Sequence, residues 1–145
     1  MMNAPALPAS AADYIAHIDL AFELMAVLDA SGRIVRVNAA AGDILGYTPA
    51  ELAGRPVLEL LHPDERADLA ALGAEVLQGH ACRERELRWR RKDGQPVYLS
   101  LSARWSERAG LVYASARDVT AHRAAREELQ RLLARWEQML DEVAG

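Results

Sequence analysis

The sequence predicts an α+β fold: one five-stranded antiparallel sheet, several short helices gathered on one face, and a long helix leaving the C-terminus. Three observations predict it. Alternating, strand-like segments come as a pair near the N-terminus and as a trio after Cys82, with helix signals between the two groups. Turn signals at Asp29-Ala30-Ser31-Gly32 and Lys92-Asp93-Gly94-Gln95 join neighbours within each group, which makes their pairing antiparallel. After Arg117-Asp118-Val119-Thr120 the texture changes to charges and apolar residues at helical spacing, from Ala121 to Val143.

Bulk properties agree with one domain and its tails. The chain has 145 residues, 51% of them hydrophobic and 26% charged, which are ordinary globular values and exclude disorder throughout. Aromatics make up 6%, so the expected core is aliphatic. A net charge of −4 speaks against wholesale binding to nucleic acid or an anionic membrane. The single cysteine, Cys82, forms no internal disulfide and cannot alone build a thiolate metal site, which fits a reducing, cytoplasmic setting. No apolar run approaches the roughly 20 residues of a membrane-spanning helix. Residues 1–10 read as a flexible Ala/Pro tail, 11–119 as the domain with an N-terminal helix, and 120–145 as a C-terminal signalling helix.

In order, Ser10 and Asp13 open a short helix whose stripe is Tyr14, Ile15 and Ile18. A strand from Phe22 to Leu28 and a second from Arg33 to Val37 form the first hairpin, with Arg33, Val35 and Val37 on one face. Asn38 is the expected cap of a helix from Ala39 to Leu45, which Gly46 ends. Thr48-Pro49-Ala50-Glu51 is a capping box with proline at the first helical position, and Gly54 stops that helix after about one turn. Val57 to Leu61 is a short apolar segment. His62-Pro63-Asp64 starts the next helix, with Leu69, Leu72 and Val76 on one side and Gly79 at its end. Three strands follow: Arg83 to Arg91, Val97 to Trp105, and Leu111 to Ala116. The first places Arg83, Arg85, Leu87 and Trp89 on one face and Glu84, Glu86, Arg88 and Arg90 on the other.

Several of these pieces, in this order and at these spacings, resemble the PAS sensor family. They are Val27-Leu28-Asp29-Ala30-Ser31-Gly32-Arg33-Ile34-Val35-Arg36-Val37-Asn38, Leu45-Gly46-Tyr47, Leu61-His62-Pro63-Asp64, Glu86-Leu87-Arg88, Arg91-Lys92-Asp93-Gly94 and Asp118-Val119-Thr120. The resemblance covers roughly Ala11 to Thr120. It implies the sheet order 2-1-5-4-3 and a lid of short helices over a small cavity. On that reading Leu45, Leu58, Leu61, Leu69, Leu72 and Val76 line the cavity from the helices, and Leu87, Trp89, Leu101 and Trp105 from the sheet. It further implies a regulatory module of a signalling protein such as a histidine kinase or a cyclic-dinucleotide enzyme. Such a module senses a ligand or partner and acts on an effector linked beyond the C-terminus. Asp118 and Thr120 are the expected transmission junction, Thr120 as the N-cap of the outgoing helix and Asp118 as a carboxylate at its positive end.

In that helix Leu129, Leu132, Trp136, Met139 and Val143 follow the a/d spacing of a coiled coil, widened by Leu133 and Leu140, and a homodimer is the expected way to cover them. The competing arrangement folds the helix back onto its own sheet. Catalysis finds no support, because His17, His62, His80 and His122 are scattered and no nucleophile motif or phosphate-cradling loop is present. No cofactor is called for. A haem sensor would need an axial ligand, for which His80 is the candidate. Flavin–thiol photochemistry would need its cysteine among the short helices, whereas Cys82 begins a strand. The basic run Arg83 to Lys92 alternates over both faces among glutamates, which describes a solvated strand better than a nucleic-acid surface. A ligand-free scaffold module is the alternative to a sensor, with Trp89, Trp105 and Leu101 filling the cavity.

Overall fold

Asp29 organises the first hairpin. Its Oδ1 accepts hydrogen bonds from Ser31 N (2.9 Å), Ser31 Oγ (2.6 Å) and Arg33 N (3.0 Å), while Gly32 takes φ 85°. The Ser31 hydroxyl above all holds the Asp29 carboxyl below its ordinary value. The turn joins β1 (Leu24–Asp29) to β2 (Ile34–Val37). The computed structural model describes residues 22–144, and the expected helix around Tyr14, Ile15 and Ile18 lies outside them. In the β1–β2 ladder Val27 pairs with Arg36 but Leu28 with Ile34, leaving Val35 as the extra residue of a β-bulge. The bulge corrects the expected facing. Ile34 and Val37 both reach the core, and Val35 is exposed.

Three short elements follow: α1 (Ala40–Leu45), α2 (Pro49–Leu52) and a 3₁₀ turn at Val57–Leu60. Ala39, not Asn38, is the N-cap of α1. The buried Asn38 amide reaches β1 instead, with Oδ1 accepting from Met25 N and Nδ2 donating to Glu23 O, both at 2.9 Å. The capping box of α2 is as the sequence predicts: Thr48 Oγ1 accepts from Glu51 N (3.2 Å), and Glu51 Oε1 from Thr48 N (3.0 Å). Pro63–Glu65 forms a second 3₁₀ turn capped by His62 Nδ1, and α3 (Arg66–Leu77) starts only after it.

The remaining strands are β3 (Cys82–Arg90), β4 (Pro96–Ser106) and β5 (Leu111–Asp118), and α4 (Thr120–Ala144) ends the described chain. The five strands form one antiparallel sheet in the order β2-β1-β5-β4-β3. The expected order is thus observed. β3 carries a second bulge: Cys82 pairs with Ala103, but Arg85 with Leu101, and Glu84 takes φ 50°. Cys82 therefore takes the core position that strict alternation would deny it, and Arg83 and Arg85 are both exposed. The Cys82 thiol is free and buried, donates to Leu101 O, and is pushed up in pKa mainly by burial.

The β3–β4 turn is also a dock for the helices. Arg91 Nη1 donates to Asp43 O (3.1 Å) and Ile44 O (2.8 Å), satisfying carbonyls at the end of α1, and Lys92 N donates to Leu45 O (2.9 Å). Lys92 Nζ lies 2.6 Å from Glu51 Oε2 of α2. The helices are thereby tied to the sheet along its β3–β4 end. Between them lies the main core, with Leu45, Leu52, Leu61 and Leu99 fully buried.

Two predictions follow from this packing. The Lys92 ammonium, first among its hydrogen-bond partners, holds the Glu51 carboxyl at about 2 against an ordinary 4.5. A depressed carboxyl contributes stability above its unfolded pKa and loses it as pH falls through the folded one. The melting temperature should therefore decline between about pH 4.5 and pH 2, and Glu51→Gln should flatten that decline in a calorimetric pH series. Gly73, inside α3, has nothing within 4 Å of where a Cβ would sit. Gly73→Ala should stabilise the domain by roughly 0.5–1 kcal/mol, read as a higher denaturant midpoint.

Candidate functional site

A cavity of about 380 Å³ separates the sheet from the lid of helices. Its origin is a row of small side chains. Val37, Ala26, Ala114, Ala103 and Cys82 stand side by side in register across all five strands, and the three central members are alanines. Above them α3 contributes Ala70 and Gly73 to the wall. With methyl groups below, and Ala70 and Gly73 set among larger side chains above, the two layers leave a void. The exposed wall residues, Ala30 and Ser31 in the β1–β2 turn and Ala70, Ala74 and Leu77 on α3, mark the cavity's open end.

Of the side chains the sequence points to, Leu45, Leu58, Leu69, Leu72, Val76, Trp89 and Leu101 stand in this wall. Leu61, Leu87 and Trp105 do not. Leu61 and Leu87 are buried in the solid part of the core, Leu61 bridging to Trp89 and Leu87 pairing with Leu99. Trp105 packs on a smaller cluster of Val76, Cys82 and Val112 at the far end of the sheet. The bulky residues thus leave the cavity open. Sequence reasoning missed the small residues that create it, although alanine recurring at alternate positions of β5 (Ala114, Ala116) was a legible sign. Trp89 is 3% exposed, and its indole Nε1 has no hydrogen-bond partner among the described residues. A buried donor left unpaired costs about 1–3 kcal/mol.

His80 does not reach the cavity. It is exposed beyond the end of α3, where its backbone N donates to Glu75 O, and no histidine lines the wall among the described residues. Among the described residues the wall therefore offers no histidine as an axial ligand for a haem. Among the described residues no group of three His, Cys, Asp or Glu side chains could hold a metal ion, and no helix is long and apolar enough to cross a membrane.

The second part of the site is the joint between β5 and α4. Asp118 Oδ1 accepts from Thr120 N (2.9 Å), so Asp118 supplies the side-chain cap at the helix start. The Thr120 hydroxyl, expected to be that cap, turns to the sheet and accepts from Tyr98 N in β4 at 3.0 Å. Val119 N donates to Tyr98 O (2.9 Å), and the buried Val119 side chain seals the corner. Arg123 then stacks over the Tyr98 ring, 4.3 Å from its centroid. Glu86 on β3 pairs with Arg123 (3.5 Å) and Arg126 (3.1 Å), and Arg126 chiefly holds the Glu86 carboxyl below its ordinary value. Arg123 and Arg126 are three residues apart, hence on one helix face, which is the sequence signal for this clamp.

Beyond Arg126 every described side chain of α4 is exposed. Leu129, Leu132, Trp136, Met139 and Val143 lie open along the helix with Leu133 and Leu140, Trp136 at 62% exposure. Glu127 pairs with Arg123, and Arg131 with Glu128. The helix leaves the domain, and the fold-back arrangement is not the one adopted.

A family model described as PAS domain matches residues 23–121. Among solved structures, a domain of the sensory box sensor histidine kinase/response regulator from Geobacter sulfurreducens is 27% identical with a TM-score of 0.65, covering 72% of this chain and 90% of that one. The PAS domain of a Colwellia psychrerythraea protein shares the fold, at 22% identity and a TM-score of 0.66 over 76% of this chain and 97% of that one. Period circadian protein homolog 1 of Homo sapiens and of Mus musculus is 33% identical over 85 residues, which are 57% of this chain. The chain spans 6% of the length of those relatives. The family match runs from the start of β1 into the first turn of α4, over both the cavity and the joint, and this chain belongs to the PAS domain family of sensory signalling modules.

Proposed function

We propose that the chain is the input half of a cytoplasmic signalling protein: occupation of the cavity by a small molecule, or engagement of a partner, alters the sheet. The change reaches an effector beyond the C-terminus through α4. The observation that carries this reading is the joint. Three hydrogen bonds within and around Asp118-Val119-Thr120, and the Glu86–Arg123–Arg126 clamp, fasten the first turns of α4 to β3 and β4. The same sheet forms the cavity floor. The histidine kinase context of one structural relative supports an effector of that kind, with a cyclic-dinucleotide enzyme as the other candidate. The open cavity speaks against a ligand-free scaffold.

A second copy of the chain completes the reading. The exposed stripe from Leu129 to Val143 recurs at a and d spacing, and a parallel pairing of two α4 helices would cover it.

Two experiments test these statements. Ala114→Leu places a large side chain on the cavity floor, and it should shift the backbone amide resonances of Arg123 and Arg126. With Thr120→Val also present, a change costing about 1 kcal/mol in stability, those amides should stop responding. Amides that ignore Ala114→Leu in the otherwise natural chain would remove the coupling. For the dimer, Leu132→Asp or Trp136→Asp should halve the mass measured by light scattering, and an unchanged mass would count against helix pairing.

A further inference from the structure

The start of α4 is attached to the sheet in two chemically different ways. Up to Thr120 the attachment consists of neutral hydrogen bonds to Tyr98 over the buried Val119 side chain: Thr120 Oγ1 accepts from the Tyr98 N–H, and Val119 N donates to its carbonyl. Past Thr120 no described side chain of α4 is buried, and only Arg123 is even partly covered. Beyond its first turn the helix is therefore held by charge. Glu86 on β3 lies 3.5 Å from the Arg123 guanidinium and 3.1 Å from that of Arg126. One carboxylate is shared by two cations, with no buried apolar side chain of the helix beside it.

Three features make that contact easy to release. Water reaches all three side chains, at 30% exposure for Glu86, 33% for Arg123 and 42% for Arg126, so dissolved ions can screen them. Arg123 has a second carboxylate on its own helix, Glu127 at 3.2 Å, and keeps a partner when it leaves Glu86. Exposed ion pairs bias an equilibrium by only about fivefold or less, which is within the reach of screening. The hydrogen bonds at Tyr98 involve uncharged groups and are not weakened in this way.

We propose that Glu86, Arg123 and Arg126 form a latch that responds to ionic strength. At low salt it clasps α4 to β3. At high salt the helix is released past its first turn and pivots on Asp118-Val119-Thr120, which stays attached. The latch goes beyond the sensory reading above, because it gives the outgoing helix an input that bypasses the cavity.

The Tyr98 ring supplies the readout. The Arg123 guanidinium lies over its face, 4.3 Å from the centroid, so the ring current moves the Arg123 side-chain proton resonances upfield while the latch is closed. Proton NMR of the full chain, with NaCl raised from about 0.01 M to about 1 M, shortens the screening length from about 30 Å to about 3 Å. The upfield displacement should shrink by about half or more over that range. Glu86→Gln, at a partly exposed side chain, should show the relaxed resonances already at low salt and respond little to further salt. Arg123 resonances that stay upfield at about 1 M NaCl, or a Glu86→Gln chain that keeps the natural salt response, would each overturn the latch. The Ala114→Leu response of the Arg123 and Arg126 amides is read at low salt, where the latch is closed. A failed sensory reading would abolish that response and leave the salt titration intact, whereas a failed latch would do the reverse.

Discussion

The pairing of β5 between β1 and β4 is the constraint on which the rest depends. The last strand of the domain lies at the centre of the sheet, hydrogen-bonded on both edges, so its position is set by the whole sheet and not by its own sequence. Its inward side chains, Ala114 and Ala116, form part of the cavity floor, and its last residue, Asp118, caps the outgoing helix. Cavity and helix are therefore two ends of one short strand. A load on the floor has no flexible loop to relax into before it meets the joint.

Around that strand the protein separates rigidity from emptiness. The β3–β4 turn, with Arg91 and Lys92 gripping the ends of α1 and α2, locks one end of the lid to the sheet. The fully buried leucines lie in the main core of that body. The other end, below α3, is where glycine and alanine replace bulk, and where the cavity opens. A domain that was uniformly dense would hold its fold more firmly but would have no interior to offer.

Element types and the Thr48–Glu51 cap were legible because they depend on neighbours in the chain. Thr48 and Glu51 form their reciprocal cap without help from elsewhere, and glycine at positions 32, 46 and 94 serves φ values that turns and helix ends require. What alternation could not convey is the bulge. One inserted residue at Val35 and another before Arg85 reverse the facing of everything on one side of them, and only the partner strand decides where the insertion falls. The same limit applies to Thr120. Its hydroxyl can serve a helix N–H or a strand N–H, and the choice depends on Tyr98, twenty-two residues away. Leu61, Leu87 and Trp105 were apolar and inward-facing as expected, but whether an inward side chain borders a void or a neighbour is a property of the three-dimensional packing.

The length of α4 gives the joint a mechanical advantage. At about 1.5 Å per residue its 25 residues make a lever of roughly 37 Å, so a tilt of about 5° at the clamp would sweep the far end through roughly 3 Å. A displacement of a fraction of an ångström where Arg123 meets Tyr98 would by this geometry correspond to side-chain dimensions at Val143.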